Sequence, residues 1–557
     1  MRVKKHSGIG LGIVMGMLAS LMPVSLVAQA DVTAIHDIQG SGSATPMYGD
    51  TVTVSGVVVG DFQGNAFAGD QLSGFYVQEE PADWDADPAT SEGIFVYAPY
   101  APDVAVGDLV EVTGRAGEYS GQTQISGYVT VTKTGTAVEA VVTTPVTLPM
   151  DTPASFERYE GMSVTFDQDL YISEFFNFDR FGEIVLSTDR QYQPTQVAEP
   201  GSAEAEAIAQ ANSLSRITLD DGRNSQNPDP AIHPNGEEFT LTNTFRGGDI
   251  LRSVTGVMGQ GFGLYRIQPT QGATYVNANP RPTSPDPVGG EVKVASFNVL
   301  NFFTSIDDGS DDCGPTGNLE CRGADNATEL ERQMKKLVAG IIALDADVVG
   351  LEEVENDIRS DDGSRAHDAI LTLVERLNAV AGTGTWAWVG ETNHYNDYPI
   401  RNEIIYRPDK VTPVGPPIAL ADPAFDATRP GDIEPVGRPP LAQTFRAAST
   451  SSRRSDQRPF TVVVNHFKSK GSSCASIGDP DTGDGQANCN LTRVAQAEAL
   501  LGFVDTLQDD SSGVLVVGDL NSYTHEDPIQ TLEDGGLTDV IGLFGGDRAY
   551  SYVFDGQ

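Results

Sequence analysis

The stretch Val514–Ser522, VLVVGDLNS, decides how the second half of the chain is read. Four apolar residues and a glycine lead into Asp519 and Asn521. A short apolar run bounded by glycine reads as a strand buried on both faces. Residues two apart on a strand share a face. Asp519 and Asn521 are therefore expected to project together from the C-terminal end of a central strand into one pocket. There they can hold a water and a phosphoryl oxygen side by side. Gly-Asp before a turn is also common at strand ends, so the neighbouring stretches carry the decision.

Around this stretch, residues 291–557 alternate strands and helices. Strands are expected at 292–297, 346–351, 404–406, 442–445, 460–465 and 514–517, and helices at 328–344, 366–380 and 491–507. The first helix gathers Leu330, Met334, Leu337, Val338 and Ile341 on one face. The pattern is α/β, with polar residues at strand ends, where open sheets build sites. SFNVLNFF puts Asn298 just past the first strand, and VVGLEEVEND puts Glu352 and Glu353 just past the second. GRPPLAQTF puts Arg438 before a strand. VVVNHFKSKG puts His466 at a strand end, with Lys468 and Lys470 behind it. Phosphodiester hydrolysis needs charge neutralised, a water positioned and a leaving oxygen protonated. A carboxylate-bound Mg²⁺ or Mn²⁺ with Arg438 suits the first task, Asp519 the second, and His466⁺ or metal-assisted protonation the third.

The chain has 557 residues, enough for three or so domains at roughly 150 residues each. Its 35 Lys and Arg stand against 78 acidic residues, a formal charge of −43. Such a surface repels nucleic acid at long range, so a polyanionic substrate requires local cations or divalent metal. Residues 401–470 hold eleven Lys and Arg against seven acids, a stretch where a phosphate backbone would land. Residues 1–30 read as a secretion signal: Arg2, Lys4 and Lys5, an apolar run from Ile9 to Val27, then Ala28-Gln29-Ala30. Gly10, Gly12, Gly16, Ser20 and Pro23 interrupt that run and no second apolar span follows, which favours export over stable membrane insertion. Four cysteines suit an exported chain. Three pairings are open, of which Cys313–Cys321 with Cys474–Cys489 is the simplest, and zinc lacks a C-x-x-C or a nearby His.

Residues 31–145 show five short β-branched runs between Gly and Asp turns, which fit a small OB-type barrel. Phe62, Phe67, Phe75, Tyr76, Phe95 and Tyr97 are candidate stacking rings. Residues 31–150, however, carry only Arg115 and Lys133 against sixteen acids, which weakens a nucleic-acid-binding reading. Residues 146–280 read as a second β-rich region with a helix over 203–211 and no evident chemistry. Residues 281–290 are a Pro/Gly/Ser linker, and the catalytic domain is expected over 291–557.

The order Asn298, Glu353, Arg438, His466, Asp519-x-Asn521 resembles the endonuclease/exonuclease/phosphatase superfamily of DNase I and exonuclease III type. LEEVEN, NHFKSKG and GDLNSY, after a leader and an OB-like domain, resemble ExeM/NucH-type secreted bacterial nucleases. The resemblance implies a four-layer α/β/β/α sandwich. It implies Mg²⁺ or Mn²⁺, with Ca²⁺ as a further candidate, and DNA as substrate with RNA second. Glu353 fits the metal carboxylate, while Glu352 is expected to face solvent. Asn298 fits the residue placing metal and phosphate, Arg438 the phosphate-holding arginine and His466 the catalytic histidine. Asp519 and Asn521 fit the pair orienting water and phosphate. Glu403 or Asn402 would orient His466. The family domain continues with an Asp-bearing strand and an Asp-His pair, so the chain reads as a fragment ending at Gln557. Protein ending there is expected to lack activity and solubility. Two other readings are a phospholipid or small-molecule phosphodiesterase on the same fold, and a non-catalytic adhesion protein.

Overall fold

The computed structural model describes residues 32–64, 71–357, 366–430, 432, 435–448, 458–508, 511–546 and 551. The expected leader over 1–30 and Phe67 lie outside these residues. Two compact units are present. The first holds the described residues up to Val142 with Glu157–Ser163 and Gly259–Gly263. The second holds Thr143–Phe156, Val164–Met258 and the described residues from Leu264 onward. Among the described residues no helix is long and apolar enough to cross a membrane.

In the first unit five strands close into a barrel: β1 (Thr51–Phe62), β2 (Gly74–Gln78), β3 (Gly93–Tyr97), β4 (Asp108–Tyr119) and β5 (Gln122–Thr136), in the order β1-β2-β3-β5-β4. Alternation sends Val54, Val58, Phe75, Val77, Ile94 and Val112 to one interior, joined by Ile35 and Ile38. The rings expected to stack bases go elsewhere: Phe62, Phe75, Tyr76 and Phe95 are all buried, and Tyr97 alone of the described candidates is exposed. Tyr76 packs on Phe95 with ring centroids 4.8 Å apart. Burial of large apolar rings outweighs their use as platforms in so small a barrel.

Between Thr144 and Val276 nine short strands make one mixed sheet. A helix over Ala203–Leu214 starts at Ser202, whose side chain accepts from the Ala205 amide.

Two further sheets follow. The first pairs β6 (Val294–Phe302) parallel to β7 (Val348–Glu355), and β7 antiparallel to β8 (Ile400–Tyr406). The second pairs β9 (Arg438–Ala447) antiparallel to β10 (Phe460–His466), and β10 parallel to β11 (Val514–Asp519). Val348 and Ile404 of one sheet share a core with Leu441, Phe445, Val462 and Val464 of the other. At Gly350 a Cβ would lie 2.6 Å from Val464 Cγ2, so the packing here leaves no room for a side chain. On the outer face of the first sheet, helices α1 (Ala327–Leu344) and α2 (Asp368–Ala381) bury Leu337, Ile341, Ile370 and Leu373 against Val349, Leu351 and Ile405. Helix α3 (Asn490–Gln508) lays Ala497, Leu500 and Val504 on Ala442 and Val463. Each fully buried Leu or Ile contributes about 1.5–3 kcal/mol, so this layering is the main stabilising term. Both disulfides, Cys313–Cys321 and Cys474–Cys489, are formed, which removes the zinc alternative.

Three expectations are corrected. Strand β11 is not central: among the described residues it has β10 as its only neighbour, and Leu515 is 41 % exposed. Asn298 is not beyond β6, nor Glu352 and Glu353 beyond β7; the strands run through them. Register shifts between Asn298 and Phe302, and between Leu351 and Val354, absorb the irregular backbone, as β-bulges do. Arg438 opens β9 and is paired across it.

Candidate active site

Register builds one side of the site. In the second sheet Arg438 of β9 pairs with His466 of β10, and His466 with Asp519 of β11, so three polar residues stand in a row at the strand ends. In the first sheet Asn298 of β6 pairs with Glu352 of β7.

The bulge in β7 supplies the other side. Glu353 has φ 64°, left-handed for a non-glycine residue, which breaks the side-chain alternation. Glu353 therefore turns toward Asn298, whose Nδ2 donates to Glu353 Oε1 at 3.0 Å and to Asp519 Oδ2 at 3.3 Å. The Asn301 amide donates to Glu353 Oε2 at 2.9 Å, and the Leu300 amide to Asn298 Oδ1 at 2.9 Å. Asn298 thus holds two carboxylates in place with its nitrogen, while its oxygen is used by the backbone.

His466 completes the cluster. Its Nε2 lies 3.7 Å from Asp519 Oδ2 and 3.9 Å from Glu353 Oε1. The imidazole is almost wholly buried, whereas the Asp519 side chain is 35 % exposed, so the cluster opens on its carboxylate side. Burial, with the Arg438 and Lys468 cations beside it, pushes the His466 pKa well below the usual histidine range. This counts against His466⁺ as a standing proton donor. His466 Nδ1 has no hydrogen-bond partner among the described residues. Neither expected acceptor reaches it. Asn402 Nδ2 donates to Pro439 O at 3.0 Å, and Glu403 accepts from Trp388 Nε1 at 2.6 Å and lies 2.6 Å from Arg401 Nε.

Glu352 is the opposite of what was expected. It is fully buried, accepts from Ser296 Oγ at 2.9 Å, and burial pushes its carboxyl up to about 8. Arg438 is also corrected. Only 2 % exposed, its guanidinium lies over the Tyr398 ring at 5.1 Å and donates to Phe467 O at 2.8 Å. That geometry pins the residue after His466 rather than presenting a cation to substrate. Asn521 reaches the same carbonyl, its Nδ2 donating to Phe467 O at 3.1 Å. It does so from a turn, not from a shared strand face. β11 ends at Asp519, Asn521 has φ 47°, and its amide donates to Asp519 Oδ1 at 2.9 Å. Three cations of the basic stretch are spent internally: Arg401, Arg438 and Lys468 are buried.

Tyr398, Ser296 and the Phe467 carbonyl were missed by sequence reading. No motif marks them, because each acts through a neighbour. Gly518 carries a readable signal: its φ is 131°, and a Cβ would meet Asn465 O at 2.0 Å, so glycine is what lets Asp519 come level with His466.

Glu353 and Asp519 face each other's site with no Lys or Arg paired to either among the described residues. Glu353, its carboxylate fixed by Asn298 and the Asn301 amide, is a hard oxygen donor of the kind that suits a divalent cation such as Mg²⁺.

Residues 295–556 match the Endonuclease/Exonuclease/phosphatase family, and residues 122–279 match a domain of unknown function, DUF8508. No curated protein matches the chain. Among solved structures, the human Nocturnin catalytic domain with bound sulfate is similar at 16% identity and TM-score 0.26, covering 40% of this chain and 70% of that one. An endonuclease/exonuclease/phosphatase family protein from Bacteroides thetaiotaomicron is similar at 15% identity and TM-score 0.27, covering 44% and 69%. A functionally unknown conserved protein from Enterococcus faecalis V583 is similar at 16% identity and TM-score 0.27, covering 44% and 72%. Residues 295–556 of this chain belong to the endonuclease/exonuclease/phosphatase superfamily, whose members are hydrolases of the nuclease and phosphatase type.

Proposed function

We propose that the chain is a secreted, divalent-metal-dependent nuclease that hydrolyses phosphodiester bonds of DNA, with RNA as a second substrate, by internal cleavage. The observation that carries this reading is the meeting of Glu353, Asp519, Asn298 and His466 from four strands of two sheets. Glu353 would hold Mg²⁺ or Mn²⁺ with Asn298 fixing its carboxylate, and Ca²⁺ is a further candidate. A divalent ion held there would neutralise phosphoryl charge and stabilise the leaving oxygen, which would take its proton from water. The chain's own residues do the rest. Asp519, its Oδ1 anchored by the Asn521 amide, orients the attacking water with Oδ2 and takes its proton. Neutral His466 offers Nε2 to a phosphoryl oxygen. Arg438 and Asn521 hold the Phe467 carbonyl between them and so fix His466 and Asp519 relative to each other.

The wider reading belongs to the same proposal. An OB-type barrel is supported by the β1-β2-β3-β5-β4 closure, and a four-layer α/β/β/α domain by the three apolar cores around two sheets. Secretion is supported by the two disulfides. The domain limits proposed are 31–145, 146–280 and 291–557, joined by the linker at 281–290.

The test offers the natural full-length protein supercoiled plasmid and, separately, phospholipid vesicles, each with Mg²⁺ or EDTA. Nicking of plasmid only, and only with metal, is the expected result. Release of phospholipid headgroup without nicking would transfer the site to a lipid substrate, and action on neither would leave a non-catalytic protein.

A further inference from the structure

A second convergence of side chains lies in the barrel unit, apart from everything described above. His36 belongs to the short helix Ile35–Gln39, Glu79 directly follows β2 and Glu92 directly precedes β3. His36 Nδ1 lies 2.9 Å from Glu79 Oε2 and 3.3 Å from Glu92 Oε2. Both carboxylates are buried, while His36 keeps a 16 % exposed edge.

The outer oxygens of the two carboxylates are held by backbone. The Ile35 amide donates to Glu79 Oε1, and the Asp85 amide to Glu92 Oε1 at 3.3 Å. Backbone anchoring from outside turns both inner oxygens toward the same ring nitrogen, which is how supporting hydrogen bonds orient metal ligands. One ring nitrogen carries one proton at most, so it cannot serve two carboxylate oxygens well. The two carboxylates also crowd one another. Burial, with Glu79 beside it, pushes the Glu92 carboxyl up to about 8, Asp85 adds a further acid, and among the described residues no Lys or Arg pairs with Glu79 or Glu92, so a divalent cation is the charge that would let both carboxylates ionise. Three donor atoms within 4.8 Å of one another can share one cation. Ligands bound to zinc at about 2.0–2.1 Å in a tetrahedron stand roughly 3.3 Å apart, close to the spacings seen.

We propose that His36, Glu79 and Glu92 form a structural site for a zinc-class divalent cation, with its fourth position open to water along the exposed edge of His36. One imidazole with two carboxylates suits zinc better than calcium, which takes six to eight oxygens. The ion would clamp the helix Ile35–Gln39 to both ends of the β2–β3 connection. This proposal is independent of the nuclease reading.

The test counts Zn²⁺ on metal-stripped full chain by equilibrium dialysis at neutral pH. The chain is compared with Glu353→Gln, which weakens the other site, and with Glu353→Gln combined with His36→Gln. One equivalent of Zn²⁺ should remain on Glu353→Gln and be lost when His36→Gln is added. It should also raise the melting temperature of the former and not of the latter. Circular dichroism checks folding. Where His36→Gln fails to fold, Glu92→Gln, which keeps the side-chain shape, gives the same reading. Zn²⁺ retained unchanged by the folded double variant would overturn the proposal, as would no Zn²⁺ on Glu353→Gln. Ca²⁺ binding equally well would overturn the zinc class.

Discussion

At the scale of single residues, the site depends on side chains whose neighbours are as decisive as their own chemistry. Asn298, Glu353, His466 and Asp519 were legible in sequence, because a polar residue at the end of an apolar run has few structural reasons to be there. Their partners were not. Glu352 looks like a surface acid beside Glu353, yet the left-handed turn at Glu353 sends Glu352 inward to Ser296. Arg438 looks like a phosphate ligand, yet Tyr398 and the Phe467 carbonyl enclose it. Alternation predicts side-chain direction only while the backbone stays regular. His466 touches both site carboxylates, and a positioned group of this kind contributes about 10²–10⁴-fold. His466→Ala should therefore lower kcat on plasmid DNA at least about a hundredfold with the far-UV spectrum unchanged. A loss under about tenfold would give His466 a structural role only.

At the scale of elements, two bulges and one glycine set the geometry. The strands and helices expected in the last domain are present in that order, whereas short elements such as Val411–Pro413 and Asp527–Asp534 went unread and strand ends shifted, because Asn298, Glu352 and Glu353 stay within their ladders. Gly518 brings β11 against β10. Gly518→Ala would place a methyl 2.0 Å from Asn465 O at a φ of 131°, and is expected to cost at least about 1–3 kcal/mol in urea unfolding while displacing Asp519. A variant as stable and active as the parent would show that Asp519 does not need this approach. Elsewhere, Asp221 follows the strand Arg216–Leu219, and burial, with Asp220 beside it, pushes its carboxyl up to about 6. A carboxyl raised on folding contributes stability below its unfolded value of 3.8, and that contribution is lost as pH rises through about 6. Asp221→Asn should thus stabilise the protein by about 1–3 kcal/mol at pH 7, with the gain shrinking toward zero near pH 4. Denaturant midpoints at the two pH values check this, and equal differences at both would contradict it.

At the scale of the whole molecule, the second unit joins distant parts of the chain at the loop after β11. Thr195 Oγ1 donates to Glu526 Oε1 at 2.8 Å, Gln196 Nε2 to Thr524 Oγ1 at 2.8 Å, and Lys470 Nζ reaches the same Glu526 oxygen at 2.5 Å. No sequence pattern links residues 195 and 526, since such pairing exists only once the chain has folded. Thr195→Val keeps the shape and deletes the donor. It should speed amide hydrogen exchange over 521–527 and lower kcat/KM a few-fold, leaving metal affinity unchanged; unchanged exchange would show that this contact does not steady the loop. On the proposed reading, the formal charge of −43 leaves a divalent metal to offset the repulsion of a polyanionic substrate. The most direct test of the central claim is the rate of plasmid nicking against Mg²⁺ concentration, for the natural full-length protein and for Glu353→Gln. The account predicts saturable activation by Mg²⁺ in the parent, abolished by EDTA, and at least about a hundredfold lower activity in the folded variant. Equal nicking by both proteins, or nicking that persists in EDTA, would contradict it.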